Sequence, residues 1–236
     1  MSFSTRRVHD ALADAADALL AVTLAPACAA CKRTLEHPLD GPVCAFCWTS
    51  VAPLRSLPFR TTTIDDGLSA GDFEGALRDI IHAFKYEGRR TLAPRLGALM
   101  RDAGVELLED AACAVPVPLH PWRRLRRGFN QAADLAAALN TPVVHALWRR
   151  RITAPQTGLT RPARRRNVRG AFARSPLITT RTIDAMLADR IVVLVDDVRT
   201  TGATLDACAL ALMQSGVREV RALTVARASL PGRDQQ

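Results

Sequence analysis

The chain has 236 residues and a formal net charge of +9, and 48% of its residues are hydrophobic, enough for one substantial folded domain with a smaller one attached. Of 32 Lys and Arg residues only Lys32 and Lys85 are lysines, so arginine carries the positive charge, which favours phosphorylated ligands or nucleic acid as partners. No stretch approaches about 18 uninterrupted apolar residues, which argues against a membrane span. Asp10, Asp14 and Asp17 interrupt the first apolar run and no convincing cleavage pattern follows it, so a cytoplasmic protein is expected.

Val8, Leu12, Ala15, Ala16, Leu19 and Leu20 recur at helical spacing with the aspartates on the other side. This predicts one amphipathic helix, ending before Pro26. Next come Cys28, Cys31, Cys44 and Cys47, two CxxC pairs in a segment punctuated by Pro38, Gly41 and Pro42. Four thiolates at this spacing suit a closed tetrahedral structural zinc site, and binding would supply folding energy that so short a segment cannot draw from a core. Disulfides are the weaker reading in a reducing compartment. His37 lies between the pairs but is not needed as a ligand. Cys113 and Cys208 sit in apolar surroundings and are expected to be buried fillers.

Residues 48–72 carry proline and turn signals and read as a connection. Helical patterns then run from about Phe73 to Phe84 and from about Thr91 to Met100, bracketing Lys85, Tyr86 and Gly88 in an expected loop. Ala112 to Val117 reads as a strand. Pro118, Leu119 and His120 follow at its C-terminal end, the ligand side of a parallel sheet. Asn130 is expected to cap a helix reaching about Leu139, with Arg123, Arg124, Arg126 and Arg127 crowding its approach. A further strand is expected over Pro142 to Leu147. From Arg149 to Arg174 the chain carries arginines and no acidic residue, as expected of a basic loop.

Ile191 to Val195 is β-branched or Leu at every position and predicts a central parallel strand covered on both faces. Asp196 and Asp197 follow side by side, so their side chains point to opposite faces and cannot share one task. The turn Thr200, Thr201, Gly202, Ala203, Thr204 then opens a helix expected from about Ala203 to Met213 and stopped by Gly216. Helix-start N–H groups, three hydroxyls and a glycine make a phosphate cradle. A turn that only caps the helix is the alternative. A Walker A loop and a dinucleotide fingerprint are both absent. A last strand is expected over Glu219 to Ala226, and a frayed tail over Ser229 to Gln236. Strands alternating with helices predict an α/β fold with a doubly wound parallel sheet behind the small zinc module.

VVLVDDVRTTGAT resembles the phosphoribosyl-diphosphate (PRPP) motif of type I phosphoribosyltransferases. The paired CxxC, FKYEG, VPVPLHPWRRLRRGFNQA, QTGLTRPARRRNVRGAF and VVLVDDVRTTGAT, in that order, resemble the ComF family from about Cys28 to Ala226. That family joins a zinc ribbon to a phosphoribosyltransferase-like domain. The resemblance implies an N-terminal helix over 1–27, a zinc ribbon over 28–50, a phosphoribosyltransferase-like domain over 51–227 with a helical hood over 65–105, and a flexible tail over 228–236.

It also implies that Asp196 and Asp197 address the ribose hydroxyls and Mg²⁺, while Val198, Arg199, Thr200, Thr201, Gly202, Ala203 and Thr204 hold the 5′-phosphate. Pro118, Leu119 and His120 would lie against the pyrophosphate, with Lys85, Arg123 and Arg127 neutralising it. The family's link to DNA uptake in natural transformation implies single-stranded DNA as a partner for Arg161, Arg164, Arg165, Arg166 and Arg169. A separate helicase-type ATPase would be a further partner. The rival expectation is a phosphoribosyltransferase of unknown acceptor, unrelated to DNA; no residue here identifies that acceptor or a base to activate it.

Overall fold

The computed structural model describes residues 15–19, 24–51, 57–150 and 170–228. By contacts the chain divides into two compact units, Met1–Pro53 with Glu74–Leu92, and Leu54–Phe73 with Ala93–Gln236.

In the first unit, residues 15–19 are helical, and most of the amphipathic helix predicted before Pro26 lies outside the described residues. Asp17 is buried, accepts the Leu39 N–H at 2.8 Å and sits 3.4 Å from His37 Nδ1. The cysteine segment folds as tight turns. Ala27 bridges Thr34, and Lys32 takes φ +63° as the first CxxC turns back. Helix α1 (Ala45–Val51) buries Cys47, Trp48 and Val51 and packs on α2 (Gly75–Tyr86). Leu77, Ile80, Ile81 and Phe84 recur every three or four residues on α2 and are buried, as an amphipathic helix requires. Lys85 and Tyr86 thus belong to the last helical turn and not to the expected loop. The helix ends only at Glu87, before Gly88 at φ +67°.

The second unit is a mixed α/β layer. Strands β1 (Leu57–Phe59), β2 (Asp66–Asp72), β3 (Cys113–Pro116), β6 (Ile191–Arg199) and β7 (Glu219–Arg227) form one sheet in the order β1-β2-β7-β6-β3. Every pairing is parallel except β1 with β2. Ile191 to Val195 are all buried, which explains their unbroken apolar run. Strands β4 (Leu147–Arg149) and β5 (Phe172–Arg174) form a separate antiparallel pair. The helices are α3 (Ala93–Ala103), α4 (Val105–Leu108), α5 (Pro121–Arg127), α6 (Gln131–Ala137), α7 (Thr180–Leu187) and α8 (Ala203–Met213).

Three expectations are corrected. Residues 48–72 are no mere connection, because they supply the end of α1 and both strands of the β1–β2 hairpin. Small residues disguise β2: a Cβ on Gly67 would stand 2.5 Å from the Phe59 ring, so glycine lets that ring lie across the strand. Pro142–Leu147 is not a strand. Pro142 has no N–H to donate, Val143 alone bridges Ala114, and the chain then leaves for the β4–β5 pair. Finally, β6 does not stop at Val195 but runs to Arg199, since β7 continues beside it as far as Arg227. Helices α5 and α7 and strand β5 had no counterpart in the sequence reading.

Candidate functional site

The four predicted metal ligands converge. The sulfurs of Cys28, Cys31, Cys44 and Cys47 all lie within 4.8 Å of one another, with Cys28 to Cys47 at 3.9 Å and Cys31 to Cys44 at 3.8 Å. Tetrahedral thiolates about 2.3 Å from an ion stand at such separations, so the residues fit a metal such as zinc. The Cys44 N–H points at Cys28 Sγ from 3.4 Å. Burial opposes the Cys28 thiolate, but the N–H groups of Cys44, Cys31 and Ala30 outweigh it and draw its pKa down to about 6. Burial and the neighbouring sulfurs push Cys47 up. Four sulfurs gathered this closely are a donor set whose negative charge a cation neutralises.

The turn predicted to hold phosphate lies at the C-terminal end of β6. Asp196 lies opposite Thr224 of β7 and is half-buried, whereas Asp197 is only 4% exposed. Asp196 Oδ1 accepts the Asp197 N–H at 2.9 Å, and Asp197 Oδ1 accepts the Val198 N–H at 2.6 Å. The adjacent carboxylates therefore differ, one reaching the surface and one turned into the fold. Gly202, at φ +78°, caps α8 without a side chain, and its carbonyl accepts the Asp206 N–H at 2.9 Å. A β-carbon there would be strained by backbone conformation alone. Thr200, Thr201 and Thr204 are half-exposed around this helix start, and Thr201 Oγ1 takes the Ala203 N–H at 3.4 Å.

Strand β3 pairs in parallel with β6, Pro116 opposite Val195, so Pro118, Leu119 and His120 emerge at the same sheet edge as Asp196. Asn130 fixes this loop: its Nδ2 donates to Val117 O at 3.1 Å while its Oδ1 caps α6 through the Ala132 N–H at 3.2 Å. His120 caps α5, its Nδ1 accepting the Trp122 N–H at 3.2 Å. Burial, then the charges of Arg149 and Arg123, lower its pKa below the usual histidine value. Arg127 Nη1 donates to Gln131 Oε1 at 2.7 Å.

The phosphoribosyl transferase domain family matches residues 125–234. Competence protein F of Haemophilus influenzae is 34% identical over 168 residues, 67% of this chain and 71% of that protein. The chain belongs to the ComF family. Among its ComF relatives are the DNA utilization protein YhgH of Escherichia coli, 30% identical over 174 residues (68% of this chain, 71% of the relative), and competence protein ComFC of Bacillus subtilis, 26% identical over 199 residues (80% and 78%).

Within this ComF chain the sheet edge gathers Asp196, Asp197, Thr200 to Thr204 and the loop of Pro118, Leu119 and His120 in one unit. Arg199 also contacts the hairpin. Its Nε donates to Ser69 Oγ at 3.3 Å and its guanidinium lies 4.0 Å over the Phe59 ring, so it braces the hairpin. Lys85 belongs to the other unit, half-exposed on α2. Arg161, Arg164, Arg165, Arg166 and Arg169 lie outside the described residues.

Sequence reasoning missed Arg149. It is 6% exposed at the end of β4, stacked 5.3 Å from the Phe172 ring, and within electrostatic reach of Asp196 and Arg123. Only its parity with the buried Leu147 two residues earlier separates it from its arginine neighbours. Among the described residues no helix is long and apolar enough to cross a membrane.

Proposed function

We propose that this protein binds PRPP with Mg²⁺ at the β6–α8 turn and acts in the uptake or utilisation of DNA. One observation carries the ligand reading: a half-buried and a buried carboxylate stand near the C-terminal end of a central parallel strand, a few residues before a glycine-capped helix start ringed by three threonines. Helix-start N–H groups and hydroxyls suit a 5′-phosphate. Asp196, the carboxylate that reaches the surface, suits ribose hydroxyls and Mg²⁺, and Asp197 fixes the backbone behind it. Pro118, Leu119, His120, Arg123 and Arg127 would face the pyrophosphate. The matched domain and the carboxylates are compatible with Mg²⁺, which would neutralise pyrophosphate charge. The competence and DNA-utilisation names of the relatives support the biological setting. Single-stranded DNA and a separate helicase-type ATPase are the partners that setting suggests, with zinc as the structural ion.

Mg²⁺ with PRPP should raise the melting temperature of the wild type and leave that of the double variant Asp196→Asn/Asp197→Asn unmoved. A wild type whose melting temperature does not respond sinks the ligand reading. A second reading, phosphoribosyl transfer to an acceptor unrelated to DNA, is favoured by the pair of carboxylates standing intact beside the phosphate turn. Release of pyrophosphate from PRPP in the presence of a small acceptor, with single-stranded DNA inert, would select it.

A further inference from the structure

Helix α5 is anomalous in burying nothing. Each of α1 to α4 and α6 to α8 buries at least one side chain, while α5 has none. Trp122 is 67% exposed and Leu125 76% exposed. The helix is held from its ends instead. His120 caps the start, Gly128 closes the end in the left-handed region at φ +81° with its N–H on Arg124 O, and Asn130 ties the base of the excursion to Val117 O. A segment stabilised by caps and displaying its largest apolar side chains to solvent is shaped for a partner.

At about 100° per residue, Arg123 and Arg127 lie roughly 40° apart on one side of α5. Arg127 is engaged with Gln131, and Arg123 is close enough to act on His120 and Arg149, so this side addresses the phosphate site. Trp122 and Leu125 are about 60° apart on the opposite side, with Arg126 about 40° beyond Trp122. Arg124 and Arg126 are exposed, and no acidic residue occurs between Asp110 and Asp134.

We propose that this outward side of α5 is a platform for single-stranded nucleic acid, with Trp122 stacking on a base, Leu125 extending the apolar contact, and Arg126 meeting a phosphate. Charge selects the occupant, because exposed apolar groups beside an arginine, on a stretch of chain that carries arginines and no acidic residue, complement a phosphodiester chain. The indole selects the single strand, because only unstacked bases offer a free π-face. The platform deepens the DNA-linked reading above and rests on it for the choice of probe. It does not require PRPP to be bound.

The test is anisotropy of fluorescein-labelled oligo(dT) across a salt series, using the full chain. Wild type should bind with an affinity that falls linearly with log salt. Trp122→Ala should weaken binding about tenfold or more, Trp122→Phe should keep most of it, and Arg126→Gln should reduce the salt slope by about one. All three should melt as the wild type does, because neither side chain is buried. Equal binding of oligo(U) supports the platform and makes it indifferent to the sugar. An unchanged Trp122→Ala affinity, no binding by wild type, or a Trp122-dependent response to phosphatidylserine vesicles in place of oligonucleotide would each overturn it. A wild type that binds oligo(dT) through Trp122 but shows no melting shift with Mg²⁺ and PRPP supports the platform while sinking the ligand reading. The reverse result sinks only the platform.

Discussion

His120 starts α5 with one lone pair. Its Nδ1 can accept the Trp122 N–H only while the imidazole is neutral. Burial and the neighbouring Arg149 and Arg123 charges depress its folded pKa, so the cap contributes stability that is fully present above the ordinary histidine value and is lost as pH falls through the lower, folded one. We expect the Trp122 amide to lose protection and shift in NMR spectra as pH falls below the ordinary histidine range, and a His120→Asn variant to keep its cap through the same range. A Trp122 amide indifferent to acid in the wild type contradicts that. Asp196 and Asp197 make a related point. Adjacency in a strand guarantees opposite faces, which the sequence states outright. Which of the two is buried follows from what covers each face.

At the scale of elements, α3 meets the end of α6 through Gly97. A β-carbon there would stand 2.3 Å from Ala138 Cβ and 3.2 Å from Ala138 O. Gly to Ala within a helix normally stabilises by up to about 1 kcal/mol. Here the backbone of the facing segment cannot retreat, so Gly97→Ala should instead cost about 1–3 kcal/mol in denaturant unfolding. A neutral or stabilising result would mean that the two segments are more loosely packed than these distances imply. Elements with a strong local code were legible, namely α2, β3, α6, β6, α8 and β7, each marked by periodicity, a cap or an unbroken apolar run. Helix α5 and the β1–β2 and β4–β5 pairs were not. Their residues are small, charged or few, and they become strands or helix through partners and caps that composition does not reveal.

At the scale of the whole molecule, the two units depend on different forces. The sheet of the second buries long apolar strands, whereas the cysteine segment has short turns around four sulfurs. Chelation should therefore raise hydrogen exchange across Cys28 to Val51 while β6 and β7 stay protected, and elemental analysis should find one zinc per chain before chelation. Equal protection of Cys28 to Val51 with and without the metal would count against a structural ion.

The sequence by itself determined the four-cysteine cluster, the central strands and the glycine-opened turn after β6, because each is written in neighbouring residues: a CxxC spacing, an apolar run, two carboxylates and a glycine at a helix start. Only the tertiary structure decided the rest. Ser69 and Thr224 form a buried 2.9 Å hydrogen bond across 155 positions of chain, and Arg199 braces that same serine and Phe59. Arg149 is singled out from its arginine neighbours by a ring that lies more than twenty residues away. Such roles depend on which surfaces meet when the sheet closes, and no local pattern encodes that.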